Sequence, residues 1–300
     1  MLVNEFMKLQ QNEIWVITLN WNNSVDTIDC VNSLQNQTFK NFSILIVDNG
    51  STDNSPAILK NKFPDIPIIE NKKNFGFAKG FNIGINYAES NNAKLFLILN
   101  NDTILDPSFF EKILKGYEDY PDVGVFAPVI YFQKYPQKIW SHGGYINPIL
   151  LEKRTPTNFS IDSSGSNERT FFTGCCLLVK KETFETVGKF DEKFFLYYED
   201  MDFSFRVYQK KIKMLLLPEA KIWHKVSKSS GGENNPTEKY YMALNSAKYF
   251  KKHMRPIQAT VIIIYRLGSA ILWTFRLLFR FQFTSLFSYW KGLIHGWFLE

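Results

Sequence analysis

The sequence predicts an α/β fold: a mixed, mainly parallel sheet flanked by helices, followed by C-terminal amphipathic helices. Three observations carry this. Short apolar runs recur along the chain, segments of helical periodicity separate them, and several runs end in clusters of Asn, Asp and Ser. Strands alternating with helices belong to parallel sheets with right-handed crossovers. In such sheets ligands bind outside the carboxyl ends of the strands.

The first strand is Trp15–Leu19, and it ends at Asn20-Trp21-Asn22-Asn23. Ser24 can cap a helix whose apolar residues recur at Val25, Ile28 and Val31. Phe42–Val47 is a second strand and runs into the polar turn Asp48–Asp53; Ile66–Ile69 is a third, weaker one. Asn74–Gly84 opens a helix that runs to about Ser90. Its glycines 76, 80 and 84 recur at helical spacing, which suits close packing on a sheet and not the G-x-G-x-x-G of a dinucleotide fold. Leu95–Leu99 is an unbroken apolar run, as in a strand buried on both faces. Asn100, Asn101 and Asp102 stand at its carboxyl end. One carboxylate with two amide neighbours there suits a hard divalent cation carrying phosphate oxygens; the alternative is an ordinary polar turn.

After Pro107 a helix runs to about Tyr117, and Val123–Pro128 reads as a strand. Gln133–Asn167 has little periodicity and reads as a long surface loop. Thr170–Val179 is apolar again, a strand follows at Met214–Leu217 ahead of Trp223-His224, and Asn235–His253 reads as a helix. Between them, Glu199, Asp200 and Asp202 open a helix to about Lys210. They complement its dipole, and Asp202 with Arg206 is an i, i+4 pair. Glu199 or Asp200 can also face a cleft as general base. Crowded carboxylates raise one another's pKa, and the aromatic run Phe194–Tyr198 adds desolvation. His224 is a candidate metal ligand or a structural histidine.

The chain has 300 residues, enough for one large domain or two small ones, and 45% hydrophobic content supports a sizeable core. Its three cysteines contain no C-x-x-C pair, so a structural zinc site is not expected and a reducing compartment is. Met1–Glu13 lacks an apolar core of signal-peptide length. The charge surplus is confined to the end. Lys251–Glu300 holds seven Lys/Arg and one Asp/Glu, a net +6, and the remaining 28 basic and 28 acidic residues cancel. Nucleic acid is therefore not an expected partner, and an anionic membrane surface is.

In order, the chain carries Leu-Asn-Trp-Asn, Val-Asp-Asn-Gly-Ser-Thr-Asp, Asn-x-Gly-Phe-Ala-x-Gly-x-Asn-x-Gly, Leu-Asn-Asn-Asp-Thr, Phe-Asp-Glu-x-Phe-Phe-x-Tyr-x-Glu-Asp-x-Asp and Trp-His. Over about Ile14 to Ser230 this succession resembles the family 2 glycosyltransferases, in particular their bacterial rhamnosyltransferase-like branch. The resemblance implies a GT-A fold over 1–230, with a nucleotide-binding half at 12–115 and an acceptor half at 116–230. A helical, membrane-associating region would follow at 231–300. It implies inverting transfer from a nucleotide-diphosphate sugar, with rhamnose from a dTDP donor as one candidate, to a glycan or lipid-linked glycan. By position, Asn20, Trp21 and Asn22 would line the base and ribose, Asp48 and Ser51 would hold them, and Asn74 and Gly76 would border the nucleotide. Asn100, Asn101 and Asp102 correspond to the family's Asp-x-Asp motif, with Asp102 and His224 on Mg²⁺ or Mn²⁺. Asn100 departs from the motif's first Asp, and an amide does not balance metal charge. Asp200 corresponds to the base, with Glu199 beside it.

Two other readings stay open. One is a non-catalytic nucleotide-sugar or carbohydrate-binding protein on the same fold. The other is a sugar-1-phosphate nucleotidyltransferase, which needs a basic Gly-rich loop that Asn20–Asn23 lacks. Pro256–Phe281 is strongly apolar, but Arg266 interrupts it. At about 100° per residue, Gln258, Arg266, Ser269, Arg276 and Arg280 share one arc of about 80°. The expectation is an amphipathic helix in the membrane interface, its arginines toward lipid headgroups, at the cytoplasmic face of a bacterial membrane. Packing on the protein's own core, or on a second subunit, is the alternative.

Overall fold

The computed structural model describes residues 13–156, 167–226 and 234–299. The N-terminal part alternates strictly: β1 (Ile14–Asn20), α1 (Ser24–Gln35), β2 (Ser43–Asp48), α2 (Ser55–Lys62), β3 (Ile68–Glu70), α3 (Gly76–Ser90) and β4 (Leu95–Asn100). It continues through β5 (Thr103–Leu105), α4 (Phe109–Asp119), β6 (Val123–Phe132), β7 (Ile139–Ser141), β8 (Tyr145–Ile146), β9 (Lys153–Arg154) and β10 (Glu168–Arg169). Then come β11 (Cys176–Lys180), α5 (Lys181–Val187), α6 (Glu199–Gln209) and β12 (Lys213–His224). Three helices close the described chain: α7 (Pro236–His253), α8 (Pro256–Phe279) and α9 (Phe283–Ile294), with a last π-helical turn at His295–Leu299.

One ten-stranded sheet organises the molecule, in the order β10-β12-β6-β11-β4-β1-β2-β3, with β5 paired to β12 and β7 to β6. β3, β2, β1 and β4 are mutually parallel, and β11 enters antiparallel between β4 and β6. The sheet is therefore mixed and mainly parallel, as expected.

Its two faces explain the unbroken apolar runs. Side chains alternate across a strand. Phe96 and Ile98 pack with Ile17, Val47 and Phe81 under α3, while Leu95, Leu97 and Leu99 pack with Val16, Phe110 and Ile113 under α1 and α4. Both faces are covered, so β4 is apolar from Leu95 to Leu99, and between Ile14 and Leu19 β1 admits one buried hydroxyl, Thr18. The glycines of α3 do bring that helix close: a Cβ on Gly84 would lie 2.5 Å from Ile17 Cγ2, and one on Gly80 would lie 2.8 Å from Leu19 Cδ1.

Two expectations need correcting. The loop expected over Gln133–Asn167 is not structureless. β7 joins the main sheet, β8 and β9 form a small ribbon, and only 157–166 lie outside the described residues. A turn-rich sequence hid strands of two or three residues. The second correction concerns α8. Only the end of its polar arc, Arg276 and Arg280, is exposed; Gln258 and Arg266 turn inward. Arg266 Nη1 is 3.1 Å from Glu152 Oε1, Nη2 donates to Ser246 Oγ at 2.7 Å, and the guanidinium lies 4.8 Å from the Phe250 ring. Gln258 donates to the Pro148 carbonyl. The buried positions Ile262, Ala270 and Leu277 share this inward face, and the apolar remainder faces outward. Amphipathic periodicity gave the arc, but buried carboxylate and hydroxyl partners decided which way it turned. The expected boundary near residue 230 falls at 227–233, outside the described residues.

Candidate active site

The strand ends predicted to converge do so. Asn20 and Asp48 are register partners on β1 and β2, and Leu19 pairs with Asn100 on β4. A row of polar contacts runs along this edge. Asn20 Nδ2 donates to Asp48 Oδ2 at 2.7 Å, Thr27 Oγ1 to Asn20 Oδ1 at 2.8 Å, and Asn101 Nδ2 to Thr27 Oγ1 at 2.8 Å. From Asn100 the row turns toward α6. The Asn100 N–H donates to the Cys175 carbonyl at 2.9 Å, and the N–H of Gly174, the residue before Cys175, donates to Asp200 Oδ2 at 3.2 Å. Residues 48, 102 and 200 thus share one sheet edge.

At the first station Asp48 is 1% exposed and both its oxygens are engaged. Oδ1 accepts from the Ser51 N–H at 2.9 Å, and Oδ2 accepts from Ser51 Oγ and Asn20. Asn22 Oδ1 accepts from the Thr52 N–H, and the Asn22 N–H donates to Ser51 Oγ. Asp48, Asn20, Asn22 and Ser51 therefore shape the turn 48–53. Trp21 stands at the rim, 42% exposed. Asn49, which the sequence reading did not single out, is the hub between this turn and α3. Its Nδ2 reaches Asn74 Oδ1 and the Gly76 carbonyl, and its Oδ1 accepts from Asn71 and the Phe75 N–H. Asn74 Oδ1 also caps the Gly76 N–H at 2.8 Å.

At the second station Asp102 Oδ1 lies 3.0 Å from His224 Nε2, and both side chains are buried. β5 brings them together by pairing Thr103 with His224. His224 Nδ1 has no hydrogen-bond partner among the described residues. The pair offers a hard carboxylate oxygen and an imidazole nitrogen, a donor set that fits Mg²⁺ or Mn²⁺ in part. No group of three or more His, Cys, Asp or Glu side chains is present among the described residues, so further ligands would have to come with a substrate. Lys225 braces the site from below. It bridges Asp26 and Asp29 of α1 at 2.7 Å each, and its N–H donates to the Asp102 carbonyl.

The third station is the start of α6. Asp200 Oδ1 accepts from the Met201 N–H at 2.8 Å. Glu199 is 5% exposed, and its Oε2 has no partner among the described residues. Burial, and then the Asp200 charge, pushes the Glu199 carboxyl well above the usual range. Of the crowded pair, Glu199 is the raised member. Asp202 does different work. Burial alone would raise it, but His253, Arg206 and Lys252 outweigh that and hold it at about 2. Its Oδ1 is 2.7 Å from His253 Nε2 and 2.6 Å from Lys252 Nζ, so it ties α6 to α7.

The turn into α6 is strained. Tyr197 and Tyr198 both adopt left-handed backbone, φ 67° and 71°, which costs order 1 kcal/mol or more for each bulky residue. It is gripped from both sides. Asn245 of α7 donates through Nδ2 to the Leu196 and Tyr197 carbonyls at 2.7 and 3.1 Å. On the other side the Phe77 N–H of α3 donates to the Phe195 carbonyl at 2.8 Å. Gly76 permits that approach: its φ is +80°, and a Cβ would sit 2.2 Å from Phe195 O. Strain held in place by surrounding structure is characteristic of functional turns.

Glu199 and Asp200 line a cleft of about 510 Å³ together with Trp140, Glu152, Tyr198 and Met242. The Trp140 ring packs edge-on to His224, 4.4 Å between centroids, so one side chain of the cleft wall touches the Asp102–His224 pair. Trp140, Glu152 and Asn245 carried no sequence signal, because they come from an irregular segment and a distant helix.

Comparison with known proteins agrees with this geometry. An N-acetylglucosaminyl-diphospho-decaprenol L-rhamnosyltransferase of Mycobacterium tuberculosis is 25% identical over 219 residues, covering 66% of this chain and 71% of that one. The dTDP-rhamnosyl transferase RfbF of Shigella flexneri is 25% identical over 266 residues, covering 83% and 84%. The mannosyltransferase PcManGT of Pyrobaculum calidifontis, solved with GDP-Man and Mn²⁺, superposes with a TM-score of 0.60 at 14% identity, over 96% of this chain and 88% of that one. That likeness shows the GT-A fold. The Glycosyl transferase family 2 model matches residues 15–188, more than half of the chain, and the chain belongs to that family.

Proposed function

We propose that this glycosyltransferase is inverting and moves a sugar from a nucleotide-diphosphate donor to a hydroxyl of a glycan or lipid-linked glycan. The observation that carries the reading is the single polar row that joins Asp48, Asn101 and Asp200 along one sheet edge. Two relatives are named rhamnosyltransferases, which supports rhamnose as the sugar and dTDP as its carrier. The base and ribose would lie across Trp21 and the turn shaped by Asn20, Asn22, Asp48 and Ser51, with Asn74, Gly76, Asn100 and Asn101 bordering the nucleotide.

Asp200 accepts the proton of the acceptor hydroxyl. That oxygen attacks the anomeric carbon from the face opposite the nucleotide. The bond to the diphosphate breaks, its electron pair leaves with the diphosphate, and configuration inverts. Burial raises the Glu199 carboxyl, which favours its neutral form as a hydrogen-bond donor over a second nucleophile and suits one displacement. Asp102 and His224 would hold Mg²⁺ or Mn²⁺, and the bound ion would offset negative charge on the diphosphate.

Two measurements test this. With dTDP-rhamnose and an acceptor, NMR of the product is expected to show the opposite anomeric configuration to the donor; retention would contradict the mechanism. By calorimetry, Mn²⁺ is expected to tighten dTDP binding about tenfold or more, and Asp102→Ala to abolish the gain. An undiminished gain in the variant would remove Asp102 from the metal site.

A further inference from the structure

We infer that the outward face of α8 and α9 seats in the surface of an anionic bilayer, with α8 lying along it, and that the acceptor reaches the cleft from that bilayer on a lipid. The acceptor clause rests on the glycosyl transfer proposed above; the docking clause does not.

The face is continuous. On α8, Ile257, Val261, Ile264, Leu267, Ile271, Leu272 and Phe275 are all exposed, and no charged residue before Arg276 joins them. On α9 the exposed residues Phe283, Phe287, Trp290 and Ile294 recur at helical spacing, and Phe298 continues the stripe. Soluble surfaces rarely leave an apolar patch of this extent open.

Three features choose the occupant. First, exposed Arg276, Arg280 and Lys291 flank the aromatic residues, an arrangement of cations and aromatic rings that suits the headgroup level. Second, the last fifty residues carry the protein's whole surplus of +6. Lys252 and Arg266 of that set are paired within the protein, but Arg276, Arg280 and Lys291 are exposed and α8 and α9 hold no Asp or Glu; a second copy docked face to face would set these cations against themselves, whereas anionic lipid complements them. Third, α8 is apolar enough to cross a membrane by composition, with a mean hydropathy of 1.6 over its best window, but it is committed to the body along its length. Gln258 near its start binds Pro148, Arg266 in the middle binds Glu152 and Ser246, and Leu277 near its end is fully buried. A helix tied to the body near its start, middle and end lies along a bilayer and does not traverse it.

This seating fixes where the cleft opens. Glu152, the partner of Arg266, lines the cleft beside Asp200, as do Glu238 and Met242 of α7. The acceptor space is thus one ion pair away from the bilayer-facing helix. An acceptor anchored by an acyl or polyprenyl chain would keep that chain in the lipid while its sugar enters the cleft.

The test uses the full chain and vesicles of phosphatidylglycerol and phosphatidylcholine in equal parts, with no donor present. Wild type is expected to sediment with them. Ile264→Glu/Leu272→Glu, at positions 65% and 71% exposed, is expected to lose at least tenfold in partitioning with an unchanged circular dichroism spectrum and unchanged hydrolysis of dTDP-rhamnose. Wild type that stays in the supernatant would overturn the docking. So would wild type that is dimeric by light scattering without lipid, with the double variant monomeric, because a second copy would then cover the face. For the acceptor, a polyprenyl-linked saccharide in the vesicles is expected to be glycosylated at least tenfold faster by wild type than by the double variant. Equal rates, with docking intact, would overturn the lipid-borne acceptor alone.

Discussion

Asp202 illustrates how residues of one acidic cluster divide their work. Its carboxyl sits at about 2 in the folded chain against an ordinary value of 3.8. A group depressed in this way favours folding in its charged form. Its contribution is present above the unfolded value and is lost as pH falls from about 4 toward 2. At neutral pH the difference corresponds to about 2 kcal/mol. Asp202→Asn is therefore expected to lower stability by about that amount at pH 7, and by progressively less as pH falls through that window, measured by urea denaturation. Equal loss at pH 7 and pH 2.5 would contradict the assignment. The sequence already showed the Asp202–Arg206 spacing, since i, i+4 is local. It could not show His253 and Lys252, which arrive from a helix about fifty residues away. For the same reason the general base could be narrowed to Glu199 or Asp200 from sequence, but which of them burial would neutralise required the fold.

At the scale of elements, the strands were legible because both sheet faces are buried, which leaves Leu95–Leu99 wholly apolar and Trp15–Leu19 apolar but for the buried Thr18. The short strands between 133 and 156 were not, since two or three residues carry no period. Nor could sequence show that α7 braces the turn before the proposed base. Asn245 holds the left-handed Tyr197–Tyr198 turn by its preceding carbonyls, and the turn aims the base-bearing start of α6. Losing two buried hydrogen bonds costs a few kcal/mol, roughly 1–3 for each group left unsatisfied. Asn245→Ala is expected to reduce kcat tenfold or more while nucleotide affinity stays within about twofold. A matching loss in both would make Asn245 a general stability residue and not a positioning one.

At the scale of the whole molecule, the C-terminal helices cover the body on one side and carry the proposed docking face on the other. Ala243 of α7 packs with Ala270 and Leu277 of α8 and Tyr289 and Leu293 of α9. Removing 256–300 would uncover this cluster together with the hydrophobic group around Ile262, Tyr249 and Phe250. Truncation at residue 255 is expected to lower Tm by more than about 10 °C. A truncated chain with unchanged Tm would show that α8 and α9 are an appendage. This is why point substitutions on the outward face, and not deletion, separate docking from folding. The order of motifs was readable along the chain because each marks the end of a strand, as at Asn20, Asp48, Asn100 and His224, or the start of a helix, as at Gly76 and Glu199. The direction of the α8 arc was not, because Glu152 and Ser246 are remote in sequence.

The account rests on loop tips from distant parts of the chain acting on one donor, with Asp200 as the base that completes the reaction. The most direct measurement pairs dTDP affinity with turnover of Asp200→Asn, an isosteric change that removes the basic carboxylate and keeps one oxygen to accept from Met201 or Gly174. The account predicts affinity within about twofold of wild type and kcat lower by at least about a thousandfold. Turnover near the wild-type rate in that variant would contradict it.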